Sequence, residues 1–257
     1  MIRLSDVLDM IAVTDTGLVR DCNEDAVFVH PDHGLVLLAD GMGGCNAGEV
    51  ASNMAVVLLA RKLSQIDFAS MAPEESLRLI SEQIEETNQI IYQTSIDQLK
   101  YSGMGTTLVA GCFADNRLYV AHLGDSRAYR LRNGQLTRLT HDHSPIQTLI
   151  DTGLLTEEVA RRSYGKHLVS RALGIVHQVE PECHVHEVEV GDLYLLCSDG
   201  LVDMVDDAEI TRILMTPNQR LFESAEKLVH RANGNGGLDN ISLILVQVND
   251  PFPANSF

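Results

Sequence analysis

Carboxylates at the mouths of apolar runs are the residues of this 257-residue chain best placed to do chemistry. Gly34 to Ala39 is apolar and stops at Asp40-Gly41, and the run from Leu193 to Ser198 stops at Asp199-Gly200. Asp239 precedes a third run, Ile241 to Val248. Runs of this length, rich in Leu, Val and Ile, read as buried strands. A sheet that gathers these strand ends brings like charges together, and they repel unless a cation neutralises them. An all-oxygen donor set suits the hard ions Mg²⁺ and Mn²⁺ rather than zinc. The first expectation is therefore a metal-dependent enzyme.

Other segments add to this. In Arg20-Asp21-Cys22-Asn23-Glu24-Asp25, Arg20 offers a fork that grips phosphate, and Glu24 and Asp25 add carboxylates. Alone, the hexapeptide is weak evidence, because an acidic turn is usually a solvated loop. In Asp40-Gly41-Met42-Gly43-Gly44, a glycine after the Asp lets a carbonyl approach an ion, and the later glycines permit a tight turn. The segment lacks the Lys and Ser/Thr of a P-loop and the spacing of a dinucleotide fingerprint. Gly124-Asp125-Ser126-Arg127 fits a hairpin turn or a ligand site, and Asp199-Gly200 and Asp239-Asn240 carry the same two readings. His141 and His143 flank Asp142, and His184 and His186 share a strand face at a spacing that suits a metal. A polar loop and a solvent-facing strand are the simpler explanations.

These residues need elements to position them. Asn46 followed by Glu49 predicts a capping box opening a helix that runs to about Leu63. A second helix starts at Pro73 with Glu74 and Glu75 in its first turn, and Leu77, Ile80, Ile84 and Ile91 form its apolar stripe. Strands are expected at 10–14, 26–30, 35–39, 107–113, 117–122, 127–130, 184–188, 193–197 and 241–248. Helices are expected at 207–214 and 222–232, with short helical pieces at 145–150 and 157–162 inside a weakly patterned stretch, 142–170. Strands in short hairpins with helix pairs between them argue for an α+β fold, two antiparallel sheets with helices outside.

Composition narrows the class. A 45% hydrophobic content supports a large core, and no run approaches the length of a membrane span. The first residues lack the basic start and apolar centre of a signal peptide, so the cytoplasm is the expected location. The formal charge of −17 argues against nucleic acid as a partner. Five cysteines, irregularly spaced and without a CxxC pair, argue against a disulfide framework or a zinc ribbon.

In order and content, Arg20–Ala26, Ala39–Gly44, Gly105–Thr107, Gly124–Tyr129, Ser170–Gly174, Cys197–Asp203 and Asp239–Ser242 resemble one family. It is the metal-dependent protein Ser/Thr phosphatases of type 2C (PPM), in the short bacterial form. The likeness spans essentially the whole chain. It implies a central antiparallel β-sandwich flanked on both sides by pairs of helices (αββα). A single catalytic domain would occupy 1–250, with a flap at about 142–170 and an exposed tail at 251–257.

The resemblance also implies a site. Asp40 would bridge two Mn²⁺ or Mg²⁺ ions, with the Gly41 carbonyl on one and Asp199 and Asp239 on the other. Asp125 would serve a third, weaker ion, Asp25 and beside it Glu24 would order metal-bound waters, and Arg20 would hold the substrate phosphate. A hydroxide bridging the ions would attack phosphoserine or phosphothreonine in line, with no cysteine or histidine nucleophile. Met42 departs from many eukaryotic relatives, which carry a histidine there as proposed general acid; here the leaving-group proton must come from elsewhere. The implied partners are phosphorylated proteins and a cognate bacterial Ser/Thr kinase; no dimerisation segment stands out in the sequence, so a monomer is the default expectation. Two other readings stand beside this one: a non-catalytic phosphoprotein-binding relative, and a different metal-dependent phosphohydrolase acting on small phosphoesters or nucleotides.

Overall fold

A computed structural model describes residues 3–160 and 168–252. The strands are β1 (Leu8–Asp15), β2 (Asp25–His30), β3 (Leu35–Met42), β4 (Gly105–Thr106), β5 (Leu108–Ala114) and β6 (Arg117–Leu123). They continue with β7 (Arg127–Arg132), β8 (Gln135–Arg138), β9 (Glu182–Glu187), β10 (Leu193–Cys197) and β11 (Ile241–Val248). The helices are α1 (Gly48–Leu63), α2 (Pro73–Asp97), α3 (Pro145–Asp151), α4 (Glu157–Ala160), α5 (Asp199–Val202), α6 (Asp207–Leu214) and α7 (Leu221–Gly234). One sheet has the order β1-β11-β10-β7-β8; the other has β2-β3-β5-β6-β9, with β4 paired to β3. Every strand pairing is antiparallel.

The central strands read as unbroken apolar runs because both of their faces are covered. In β3, Leu35, Leu37 and Ala39 pack with Ala51 and Leu59 of α1 and Ile80 and Ile84 of α2. The alternate residues Val36 and Leu38 pack with Tyr194, Leu196, Ile244 and Val246 of the opposite sheet. On the far side, Leu195, Leu243 and Leu245 meet Ile210 of α6 and Leu228 of α7. The result is four layers, helix–sheet–sheet–helix, as expected. Each large aliphatic side chain buried this way contributes about 1.5–3 kcal/mol, so the strand ends are held on a stiff frame.

Several local expectations are corrected. The capping box does not form: α1 starts at Gly48 with Ala47 at its N-cap and no side-chain cap. The Ala47 and Gly48 amides both donate to the Gly44 carbonyl, so a backbone turn satisfies the helix start instead. Strand β8 and the short α5 were not anticipated; four residues each carry too little periodicity. Phe252 is buried in the core between the sheets, so the tail is not exposed from 251 onward; residues 253–257 lie outside the described residues. The predicted piece 157–162 is helical to Ala160, and 161–162 lie outside the described residues.

The largest correction concerns the cysteines. Cys22 and Cys45 form a disulfide, with Cα atoms 5.7 Å apart. Antiparallel pairing of Asp25 with Asp40 places the loop before β2 beside the turn after β3. Their 23-residue separation in sequence carried no hint of it.

Candidate active site

The expected acidic residues converge at one end of the sandwich. Asp25 opens β2 directly opposite Asp40 near the end of β3. Asp125 sits in the turn where the chain passes from β6 in one sheet to β7 in the other. Asp199 is the first residue of α5, just after β10, and Asp239 precedes β11, the neighbour of β10. Asp40, Asp125, Asp199, Asp239 and Glu24 line one pocket of about 230 Å³ together with Arg20, Gly41–Gly44, Thr107, Val169 and Asn240. Asp25 lies behind this lining, buried.

The electrostatics of this end demand positive charge. Burial pushes Asp25 up to about 7, opposed by the Ser242 and Ser198 hydrogen bonds and reinforced by Asp199 and Asp239. Burial raises Asp40 well above the usual carboxylate range, and Asp25, Asp199, Asp125 and Asp239 add repulsion. Asp125 is pushed up to about 7 by burial, then by Asp199 and Asp142. Burial raises Glu24 too, against the pull of Arg20. Asp25 Oδ1 and Glu24 Oε1 are buried without a hydrogen-bond partner. Carboxylates that raise one another, with bare buried oxygens and only oxygen donors, fit hard divalent cations.

Two backbone features shape the pocket. A Cβ on Gly41 would run into the carbonyl oxygens of Gly48 and Glu24, so only glycine lets these three segments meet. Gly43 and Gly44 take φ of +131° and +84°, which turns the chain sharply into α1. At the pocket mouth, Arg20 Nη2 donates to Asp239 Oδ2 at 2.7 Å. That contact uses one of five guanidinium N–H groups and leaves the fork with donors for an anion.

Sequence reasoning placed several supporting residues inside motifs without giving them roles. The Asp40 amide donates to Thr107 Oγ1 at 3.0 Å, and Thr106 Oγ1 donates to the Asp40 carbonyl at 2.9 Å. Thr107 Oγ1 also shares a 2.7 Å hydrogen bond with Ser126 Oγ, beside Asp125. Ser198 Oγ donates to Asp25 Oδ2 at 2.9 Å and accepts from the Ser242 amide at 3.0 Å. Asn240 Oδ1 accepts from the Glu24 amide at 2.8 Å, while its Nδ2 donates to the Thr16 and Cys22 carbonyls, each at 2.9 Å. For Ser126, Ser198 and Asn240 the available signal was adjacency to Asp125, Asp199 and Asp239; Thr106 and Thr107 adjoin no acid in sequence. Below α3, Arg127 forks onto Asp142, Nε to Oδ1 at 3.0 Å and Nη2 to Oδ2 at 2.6 Å.

Among the described residues, the histidines stay outside this centre. Donor atoms of His122, His143 and Glu182 come within 4.8 Å of one another. The His122 and His143 rings, however, stack at 4.7 Å and 10°, and stacked planes do not direct both lone pairs at one ion. The Gly124 amide donates to His143 Nδ1 at 3.2 Å, and His143 Nε2 meets Glu182 Oε2 at 3.3 Å. This is a hydrogen-bond network. His141 pairs with Asp151 and His184 with Glu182, in keeping with the polar reading of both.

A profile of the protein phosphatase 2C family matches residues 19–241. Serine/threonine protein phosphatase PstP of Mycobacterium tuberculosis is 41% identical over 259 residues, covering 97% of this chain but 47% of PstP. This chain thus spans about half the length of that relative. Serine/threonine phosphatase stp of Listeria innocua is 40% identical over 239 residues, covering 92% of this chain and 94% of stp. The crystal structure of the PstP catalytic domain in complex with two manganese ions matches with a TM-score of 0.85 at 41% identity, covering 95% of this chain and 99% of that one. With the family profile covering most of its length and the acidic end built as described, this chain belongs to the protein phosphatase 2C family.

Proposed function

We propose that this chain is a Mn²⁺- or Mg²⁺-dependent protein phosphatase that hydrolyses phosphoserine and phosphothreonine in proteins. The observation that carries the reading is the buried group of mutually repelling carboxylates from both sheets, with Arg20 at its mouth. Asp40, the Gly41 carbonyl, Asp199 and Asp239 would hold two ions, Asp125 a third, and Asp25 and Glu24 the surrounding waters. When bound, the ions supply Lewis acidity that activates water and draws charge from the phosphoryl oxygens. PstP, a relative of this domain, has been crystallised with two manganese ions, which supports the assignment.

The chain's own residues do the positioning. Thr106 and Thr107 pin the Asp40 backbone, and Ser198 orients Asp25. Asp239 holds Arg20 where its fork meets the phosphate oxygens. We read residues 142–170, of which 161–167 lie outside the described residues, as the flap of one catalytic domain, with Arg127 fixing its base through Asp142. The reading extends to phosphorylated proteins as substrates, a cognate Ser/Thr kinase, and a monomer working in the cytoplasm. Among the described residues no helix is long and apolar enough to cross a membrane.

The test is phosphate release from a phosphothreonine peptide with Mn²⁺ and with EDTA, for wild type and Asp199→Ala. Metal-dependent release, abolished by the substitution, is the expected result. No release by wild type under either ion refutes the catalytic reading and favours a phosphoprotein-binding role.

A further inference from the structure

We infer that the Cys22–Cys45 disulfide is a redox-controlled clasp on the rim of the phosphate pocket, opened by a dithiol reductant. The inference rests on the phosphatase reading above. Cys22 lies between Arg20 and Glu24, and Cys45 follows Gly43 and Gly44; all four flanking residues line the same pocket. The bond therefore joins the loop that carries the phosphate-binding arginine to the turn on the opposite rim.

The two sides are anchored differently. Asn240 Nδ2 donates to the Cys22 carbonyl at 2.9 Å, the Glu24 amide donates to Asn240 Oδ1 at 2.8 Å, and Ser52 Oγ donates to the Glu24 carbonyl at 2.5 Å. That loop stays in place without the sulfur bond. On the other side, the Ala47 and Gly48 amides bond to the Gly44 carbonyl, contacts internal to the turn. At Gly43 the turn approaches Gly103 and Met104, but a Cβ added at Gly44 would meet nothing within 4 Å, so the tip of the turn beside Cys45 borders open space. The disulfide is its covalent tie across the rim.

Access and reactivity single out the same pair. Cys45 is exposed and Cys22 half-buried. The other three cysteines are less reactive. Cys112 and Cys197 are buried, and burial pushes the Cys112 thiol up to about 12 and raises Cys197 as well. Burial also lifts Cys183 to about 11, so all three remain protonated thiols near neutral pH. In the exchange, one thiolate of the dithiol attacks the exposed Cys45 sulfur. The S–S bond breaks, and its electron pair leaves on Cys22, which takes a proton. The second thiol then displaces Cys45, which is protonated in turn, and the reductant departs as its own disulfide. Two electrons and two protons pass to the protein.

Reduction leaves the carboxylates on their strands and frees the turn at 43–46. A substrate must then order this turn on binding, an entropic cost that raises KM about three- to tenfold and leaves kcat nearly unchanged. The experiment equilibrates wild type and the Cys22→Ser/Cys45→Ser double variant in Mg²⁺ with graded ratios of reduced and oxidised dithiothreitol. Each sample is split between alkylation with mass counting of thiols and kinetics on a phosphothreonine peptide. The expected result is two additional alkylated thiols in wild type on reduction, with KM rising in step. The variant should show the raised KM at every ratio.

Alkylation of Cys22 and Cys45 in the oxidised samples overturns the inference. So does a constant KM while the thiol count changes. A variant that responds like wild type also overturns it, because the effect is then dithiol stripping the metal. If no sample hydrolyses the peptide while the thiols still titrate, the phosphatase reading itself has failed, and the sulfur chemistry stands apart from activity.

Discussion

Asn240→Ala should loosen the loop that carries Arg20, proposed above to bind the phosphate. The Asn240 side chain is buried and makes three hydrogen bonds: one from the Glu24 amide, and one each to the Thr16 and Cys22 carbonyls. At a net contribution of about 1 kcal/mol each, their loss costs about 3 kcal/mol. Unfolding entropy for a chain of 257 residues is on the order of 0.5 kcal/mol per kelvin, so Tm should fall by about 6 °C. Arg20 rides on this loop while Asp40 and Asp199 do not, so KM for a phosphothreonine peptide should rise several-fold with kcat within about twofold. Differential scanning calorimetry and steady-state kinetics, both in Mg²⁺, measure the two effects. A Tm within about 1 °C of wild type together with an unchanged KM would refute the reasoning, because the three bonds would then be dispensable.

Four further outcomes are expected. Burial alone would raise Asp192, but the Arg132 fork, the Glu189 amide and the Tyr194 hydroxyl hold it below the usual range. Its contribution is therefore complete above about pH 4 and is lost as acid protonates the folded carboxylate. Asp192→Asn should cost about 3 kcal/mol at pH 7 and progressively less in acid melts, with the folded variant fully active. Ser198→Ala removes the donor to Asp25 and the acceptor of the Ser242 amide, so a higher Mg²⁺ concentration should be needed for half-maximal activity. Reduction of Cys22–Cys45, closing a loop with a sequence separation of 23, should lower stability by about 3 kcal/mol in urea unfolding. EDTA should lower Tm, since ions at about 100 times their Kd stabilise by about 2.7 kcal/mol; equal melts with and without Mg²⁺ would count against the site.

Much of the fold was legible because the sandwich leaves a plain trace. Residues 35–39 and 193–197 are apolar on every position, the mark of strands covered on both faces, and the structure shows each face in a different layer. The stripe Ile80, Ile84 and Ile91 likewise reports one buried helix face. What escaped depended on contacts distant in sequence. Asn46 and Glu49 match a capping box, but the Gly44 carbonyl captured the helix start first. Phe252 follows a proline in a polar tail, and only the assembled sheets reveal the core it fills. Cys22 and Cys45 look like isolated cysteines until the β2–β3 pairing places their loops together.

The candidate site was legible for a related reason: its acids stand where strands end, and strand ends on one side of a sandwich must meet. Asp25 and Asp40 belong to one sheet, Asp199 and Asp239 adjoin strands of the other, and Asp125 marks the chain's passage between them. Gathering acids there is costly: burial first, and then the neighbouring carboxylates, raise Asp25, Asp40 and Asp125. The opposite end is closed differently: the half-buried Arg132 bonds to buried Asp192, which accepts from Tyr194, joining β7 to β10. The apolar layers between the two ends resist the repulsion, and divalent ions would turn it into a clamp. The same cations that activate water would thereby complete the fold at its acidic end, so metal affinity, stability and catalysis should respond together to any substitution that displaces these strand ends.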